Sequence, residues 1–275
     1  MSYKTILVHI DPGRRCAPRV EVAARLALQH EAHLVALYVQ TPFVLPGYLV
    51  HMGPELIETQ QKAATEEMAH AEATFKQQLS ILGFKNAEWR TTTDFPVDAV
   101  AKQARYADLV VIGQSDISDN SGTPVDFPPR LVLASGRPVL IIPYAGSFLS
   151  IGSRALIAWN GSHEATRAVT DAIPLLKRAQ KVTLMAIQLK QGGHGSIPVD
   201  EIVLYLERHG VRVDMTTDPV TGIDVGNEIL SRAADLSADL IVMGGYGHSR
   251  LREWVLGGAT RTLLDSMTVP VLMSH

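Results

Sequence analysis

The chain has 275 residues, a formal net charge of −3, 46% apolar residues and 19% charged ones. That length holds one large or two ordinary domains, and the composition excludes general disorder. Near-neutral charge without a Lys/Arg block gives no electrostatic case for nucleic acid, and the lone Cys16 cannot make an internal disulfide, which points to a reducing compartment. No cleavable signal precedes the first apolar run, and no stretch reaches the roughly 18 to 20 apolar residues a membrane span needs. The expectation is a soluble, cytoplasmic protein with neither membrane nor nucleic-acid partners.

In chain order, Thr5-Ile6-Leu7-Val8-His9-Ile10-Asp11 reads as a buried strand ending on a carboxylate. Cys16, after Arg14-Arg15, reads as a small residue at a helix start rather than a reactive thiolate. The stretch Gln40 to Gly53 is apolar and contains proline; a pocket cover, an interface and an ordinary long loop all fit it. Pro54 to Leu82, rich in Ala, Glu and Gln, predicts a long helix with a solvated face. Tyr106 to Gly113 predicts a strand, and Arg137 to Pro143 another, before a joint from Tyr144 to Ser153. In the second half the pattern predicts strands near 154–159, 181–188, 211–217, 239–244 and 270–274, and helices near 162–178, 198–209, 224–236 and 259–267. Ser162 before Ala165 is a helix cap by residue type.

The two halves repeat one another. Ala107-Asp108-Leu109-Val110-Val111-Ile112-Gly113 matches Ala238-Asp239-Leu240-Ile241-Val242-Met243-Gly244, and Pro138-Val139-Leu140 matches Pro270-Val271-Leu272. The first strand matches Arg154 to Asn160. Three matches in one order indicate a duplicated unit. Strands alternating with helices predict an α/β fold, a doubly wound parallel sheet in each copy.

Such a sheet takes ligands at the carboxyl ends of its strands, near the switch point. In the second half that edge gathers Asn160, Ile187 and the turn Gly244-x2-Gly247-x9-Gly257, with Gly258, Ala259 and Thr260 opening a helix. Glycines let an anion approach the main chain, and a helix start offers unpaired amides. An apolar wall at Ile187, a polar anchor at Asn160 and this cradle describe a nucleotide site; Asn160 reads equally as a turn-former. His248, Ser249, Arg250 and Arg252 could reach phosphates. The first half keeps Asp11 but not the cradle. Gln114-Ser115-Asp116-Ile117-Ser118-Asp119 lacks the second glycine, its carboxylates would repel a phosphate, and Pro128-Pro129 removes amide donors. No Ser–His–Asp set, catalytic carboxylate pair, GxxxxGK[ST] loop or metal-ligand spacing is present among the ten histidines. No catalytic residue is assigned, and any hydrolysis is expected to be slow.

The glycine turn resembles the signature G-x2-G-x9-G-[ST] of the universal stress protein family, and the duplication resembles its tandem members. The resemblance implies two Rossmann-like domains of strand order 3-2-1-4-5. A degenerate unit over 1–146 would have lost the nucleotide motif, and a unit over 151–275 would keep it. It further implies ATP or a related adenine nucleotide as ligand, with Mg2+ accompanying it, a role in stress response, and pairing of the two domains within the chain, with a homodimer left open. Carried over, Gly244 lies by the ribose, Gly247, Gly257 and Gly258 meet the phosphates, and Asn160 and Ile187 border the adenine. The signature's Ser/Thr falls on Gly258, and Thr260 offers a hydroxyl two residues on. The alternative is a ligand-poor scaffold or signalling adaptor with a vestigial pocket.

Overall fold

A computed structural model describes residues 2–42, 54–116, 118–119, 124–187, 199–216, 225–246 and 258–275. In the first half, strands β1 (Thr5–Ile10), β2 (His33–Gln40), β3 (Ala87–Thr93), β4 (Leu109–Gly113) and β5 (Val139–Ile142) alternate with helices α1 (Cys16–His30), α2 (Pro54–Leu82), α3 (Pro96–Ala104) and α4 (Phe127–Ala134). The second half repeats this with β6 (Arg154–Trp159), β7 (Lys181–Ala186), β8 (Asp214–Met215), β9 (Leu240–Gly244) and β10 (Val271–Ser274). Its helices are α5 (His163–Leu176), α6 (Val199–Arg208), α7 (Val225–Asp235) and α8 (Gly258–Ser266). The expected elements are in place. Two strands are shorter than expected: β7 ends at Ala186, with Ile187 adding one bridge to it, and among the described residues β8 pairs with β7 through Thr183↔Asp214 and Leu184↔Met215. β8 is an edge strand, held by a neighbour on one side alone.

Each half has the expected 3-2-1-4-5 order, yet the ten strands form one sheet, β3-β2-β1-β4-β5-β10-β9-β6-β7-β8. The halves join through β5 and β10, which pair antiparallel in the register Val271↔Ile141, Leu272↔Leu140 and Met273↔Val139. Both joining strands are buried throughout, as continuous apolar runs require when helices cover both faces. One core layer packs under α1, α2, α5 and α6, the other under α3, α4, α7 and α8. Each layer runs across both halves, so removing either half would expose apolar surface worth about 1.5–3 kcal/mol per large side chain.

Polar contacts tie the same seam. Gln114 Nε2 donates to Leu264 O at 2.7 Å, Tyr3 Oη to Asp171 O at 2.7 Å and Arg167 Nη2 to Gly136 O at 2.8 Å. The repeated Ala-Asp-Leu segment also finds its reason. Asp108 Oδ2 accepts from the amides of Lys4 and Thr5, and Asp239 accepts from those of Gly152, Ser153 and Arg154. Each aspartate therefore clamps the incoming end of its half's first strand, satisfying amides that no ladder reaches.

Candidate functional site

From β6 the chain winds outward to β7 and β8, then crosses back to β9 and β10, so the switch point lies between β6 and β9. Asn160 follows β6 on one side of that crevice and Gly244 ends β9 on the other, with Ile187 just beyond β7. Asn160 Oδ1 accepts from Ser162 N at 3.1 Å, and Gly161 between them takes φ +72°, a left-handed turn that glycine enters without strain. Ser162 Oγ then accepts from Ala165 N at 3.1 Å and caps α5. The Asn160 side chain, half-buried, is held by this turn through its oxygen.

The other named residues divide by exposure. Ile187 extends the ladder, donating from its amide to Trp159 O at 2.8 Å, and its side chain is buried in the core under α7 and α8. A Cβ on Gly244 would fall 2.5 Å from Ala165 N and 2.6 Å from the Glu164 carbonyl carbon, so the first turn of α5 rests directly on this glycine. Gly245 is similarly close to Val132 of α4 across the seam. Gly258 opens α8 exposed, with no described atom within 4 Å of its would-be Cβ; Ala259 is half-buried and Thr260 buried. A Cβ on Gly226 of α7 would fall 2.8 Å from Ala259 O, so this glycine lets α7 and α8 pack closely. Gly247, Gly257, His248, Ser249, Arg250 and Arg252 lie outside the described residues, as do residues 43–53 of the apolar stretch before α2. Asn160, Ile187 and Gly244 therefore share the carboxyl edge of the sheet, and Gly258 to Thr260 start the helix that leads into β10.

The sequence reading missed Tyr246. It holds φ +64°, its hydroxyl is buried without a hydrogen-bond partner among the described residues, and that burial, with the charge of Asp265 adding to it, pushes the phenol well above its ordinary pKa.

The corresponding crevice of the first half is filled by the protein itself. Asp11 Oδ1 accepts from Gly13 N at 3.0 Å, and Oδ2 lies 2.8 Å from Arg19 Nη2. Both side chains are buried, and the guanidinium lies against Gly113 where a Cβ would otherwise stand. The pairing is ionic more than directional, because Arg19 Nε and Nη2 have no aligned acceptor. Burial works against the charge on Arg19, but Asp11 beside it more than restores it. His9 Nδ1 is 3.7 Å from the same carboxylate; burial outweighs that attraction and lowers the imidazole to about 4. Cys16 is buried at the start of α1 and burial raises its thiol pKa, which makes it a packing residue.

Above the ion pair, Arg14 closes the turn after β4. Its Nη2 donates to Asp116 Oδ2 at 3.2 Å and to Ser118 Oγ at 3.1 Å, and its amide donates to Asp119 Oδ2 at 2.9 Å. The carboxylates expected to repel a phosphate are thus engaged by an internal cation, and hydrogen bonds from Ser118 hold the Asp116 carboxyl below its usual range. Among the described residues no group of three or more His, Cys, Asp or Glu side chains is placed to hold a metal, and no helix is long and apolar enough to cross a membrane.

A tandem pair of doubly wound units, each with a switch-point crevice and one with an open glycine helix start, defines the class. The family model described as the universal stress protein family matches residues 2–124 and 153–275, and the chain belongs to that family. A universal stress protein from Archaeoglobus fulgidus DSM 4304 shares the fold over 98% of this chain and 97% of its own, at TM-score 0.72 and 16% identity. A candidate universal stress protein from Pseudomonas aeruginosa UCBPP-PA14 aligns over 98% of this chain and 92% of its own, at TM-score 0.58 and 17% identity. A universal stress protein solved in complex with cAMP aligns over 52% of this chain and 98% of its own, at 24% identity and TM-score 0.33. No curated protein matches the chain.

Proposed function

We propose that this universal stress protein binds ATP or a related adenine nucleotide in its second half only, with Mg2+ carried by the phosphates and little or slow hydrolysis. The reading divides the chain into a non-binding domain over 1–146 and a binding domain over 151–275, acting in the cytoplasm. The observation that carries it is the asymmetry of the two crevices. In the first, Arg19 occupies the space between Asp11 and Gly113 and Arg14 ties down the turn above. In the second, Asn160 is a half-buried neutral amide, the backbone of α5 lies against Gly244, and Gly258 is exposed at the start of α8. The residues fit an adenine nucleotide: Asn160 can hold a ribose or base atom, and the exposed amides of a helix start suit a phosphate. Asn160, Ile187 and Gly244 would flank the nucleoside, and Gly247, Gly257, Gly258, Ala259 and Thr260 would surround the phosphates.

A ligand-poor scaffold is the second reading, favoured by the packing duties of Ile187 and Gly244. Thermal unfolding with and without millimolar Mg-ATP, against adenosine and GTP, separates the two. Ligand at a hundred times its dissociation constant stabilises by about 2.7 kcal/mol, a shift of several degrees for a chain of this size. An ATP-specific shift supports the nucleotide reading; no shift leaves the scaffold.

A further inference from the structure

The two edges of the ten-stranded sheet are finished differently. At one, Trp89 of β3 stacks on Tyr38 with ring centroids 6.0 Å apart and meets Phe75 of α2 at 5.7 Å, so aromatic rings fill the face beside that edge. Glu88 and Arg90 of the same strand pair with each other, so their charges cancel. At the other edge α6 has 10 residues against the 29 of α2, and an open groove of about 600 Å3 runs between it and β8. Its walls are apolar, with Val203 and Leu204 on the helix and Val213 and Met215 on the strand; Leu204 is 41% and Met215 53% exposed. Its rim is acidic, formed by Asp200 and Glu207 of α6 and Asp214 of β8. The four helix positions fall at i, i+3, i+4 and i+7, one stripe with a carboxylate at each end of an apolar pair.

The main chain of β8 adds to this. Thr216 N donates to Leu184 O at 3.0 Å, so its backbone faces β7. Successive strand residues turn their N–H and C=O groups to opposite edges, which points those of Met215 and Val213 outward. We propose that this groove docks an extended segment of a partner protein in which one apolar residue lies between two lysines or arginines, each two positions away, added as a strand beside β8. The apolar side chain packs between Leu204 and Met215, and the two cations meet Asp200 and Glu207. Seven helical residues span about 10.5 Å, and cations four apart on a strand lie about 13 Å apart; flexible lysine stems close the difference. Lys181, 3.6 Å from Asp214, already answers the third carboxylate, so the two on α6 carry the selection. The ladder on β8 is two residues long, so main-chain bonds alone hold a partner weakly and charge decides which segment stays. A second copy offering its own β8 would set acid against acid, which the rim opposes.

The test is NMR titration of the full chain with the peptide acetyl-Lys-Thr-Val-Thr-Lys-amide and its acidic counterpart acetyl-Glu-Thr-Val-Thr-Glu-amide. At low salt the basic peptide is expected to bind about tenfold tighter, the scale of two rim pairs set against two like-charge contacts. It should shift the amides of Val213 and Met215. Asp200→Asn/Glu207→Gln is expected to erase the preference between the peptides, and Leu204→Lys to weaken the basic one about tenfold. Both variants change exposed side chains, so an unmoved melting temperature serves as the control for folding. Equal affinity of the parent for the two peptides, no binding of the basic one at millimolar concentration, a preference kept in Asp200→Asn/Glu207→Gln, or shifts confined to residues away from α6 and β8 overturns the proposal. The nucleotide reading uses other residues and stands or falls separately.

Discussion

The two crevices of this molecule start from one plan and end with different contents. Both have a strand-ending Asx residue whose oxygen accepts from the amide two residues ahead, and both face a glycine across the switch point. In the first, the residue kept its charge, and a buried arginine neutralises it from within the fold. In the second, the charge is gone, the helix backbone has closed onto the glycine, and the side chain is left partly open. One position of a duplicated unit can thus be occupied either by an ion pair from the protein's own side chains or by a neutral amide. The first crevice holds an internal ion pair between β1 and β4, and the second holds a half-buried neutral amide beside α5.

Breaking the ion pair should have the largest effect. Arg19→Leu leaves Asp11 buried without its cation and is expected to cost about 3–5 kcal/mol in urea unfolding. The double variant Asp11→Asn/Arg19→Leu copies the second half's neutral amide and should regain most of that loss; a double variant as weak as the single one would mean that packing, not charge, is at stake.

A smaller difference separates the halves in acid. His9 on β1 stands where β6 has Ala158, and burial lowers His9 from 6.5 to about 4. The folded state therefore resists a proton that the unfolded chain takes up, so stability is full above about pH 6.5 and declines as pH falls through 4. The contribution reaches about 3 kcal/mol at the acid end. His9→Ala should flatten the pH dependence of unfolding by about that amount between these limits, with His30, also lowered to about 4 by burial, supplying a remaining slope. An unchanged slope in His9→Ala would place the sensitivity elsewhere.

The smallest effects come from two glycines of the open crevice, and they carry opposite signs. Gly244→Ala drives a methyl into the backbone of α5 and should cost about 1–3 kcal/mol. Gly258→Ala adds a methyl in open space at a helix start and should be neutral or stabilise by up to about 1 kcal/mol. Equal behaviour of the two variants would contradict the packing described for α5.

Much of this architecture was legible in the chain. The apolar runs of β4, β5, β9 and β10, repeated in order, gave both sheets, and the Ser162 cap and the bounds of α2 followed from residue type and period. The joining of the two sheets was not legible, because Val139–Ile142 and Val271–Ser274 read alike whether their neighbour runs parallel or antiparallel. Arg19 was equally hidden: nothing in the pattern of α1 marks one arginine as buried, since its partner follows β1 and its seat is a glycine on β4. Gly244 was read as a contact for ligand, and its closeness to α5 depends on tertiary approach that spacing does not encode. Asp108 and Asp239 stood out as repeats, but only the strand amides they clamp explain them.

The most direct measurement is the stoichiometry of ATP binding by titration calorimetry, on the full chain and on a Gly258→Val variant of the open helix start. One nucleotide per chain is expected, with affinity lost in Gly258→Val while its unfolding midpoint stays close to that of the parent. Two nucleotides per chain, or undiminished binding in Gly258→Val, would contradict it.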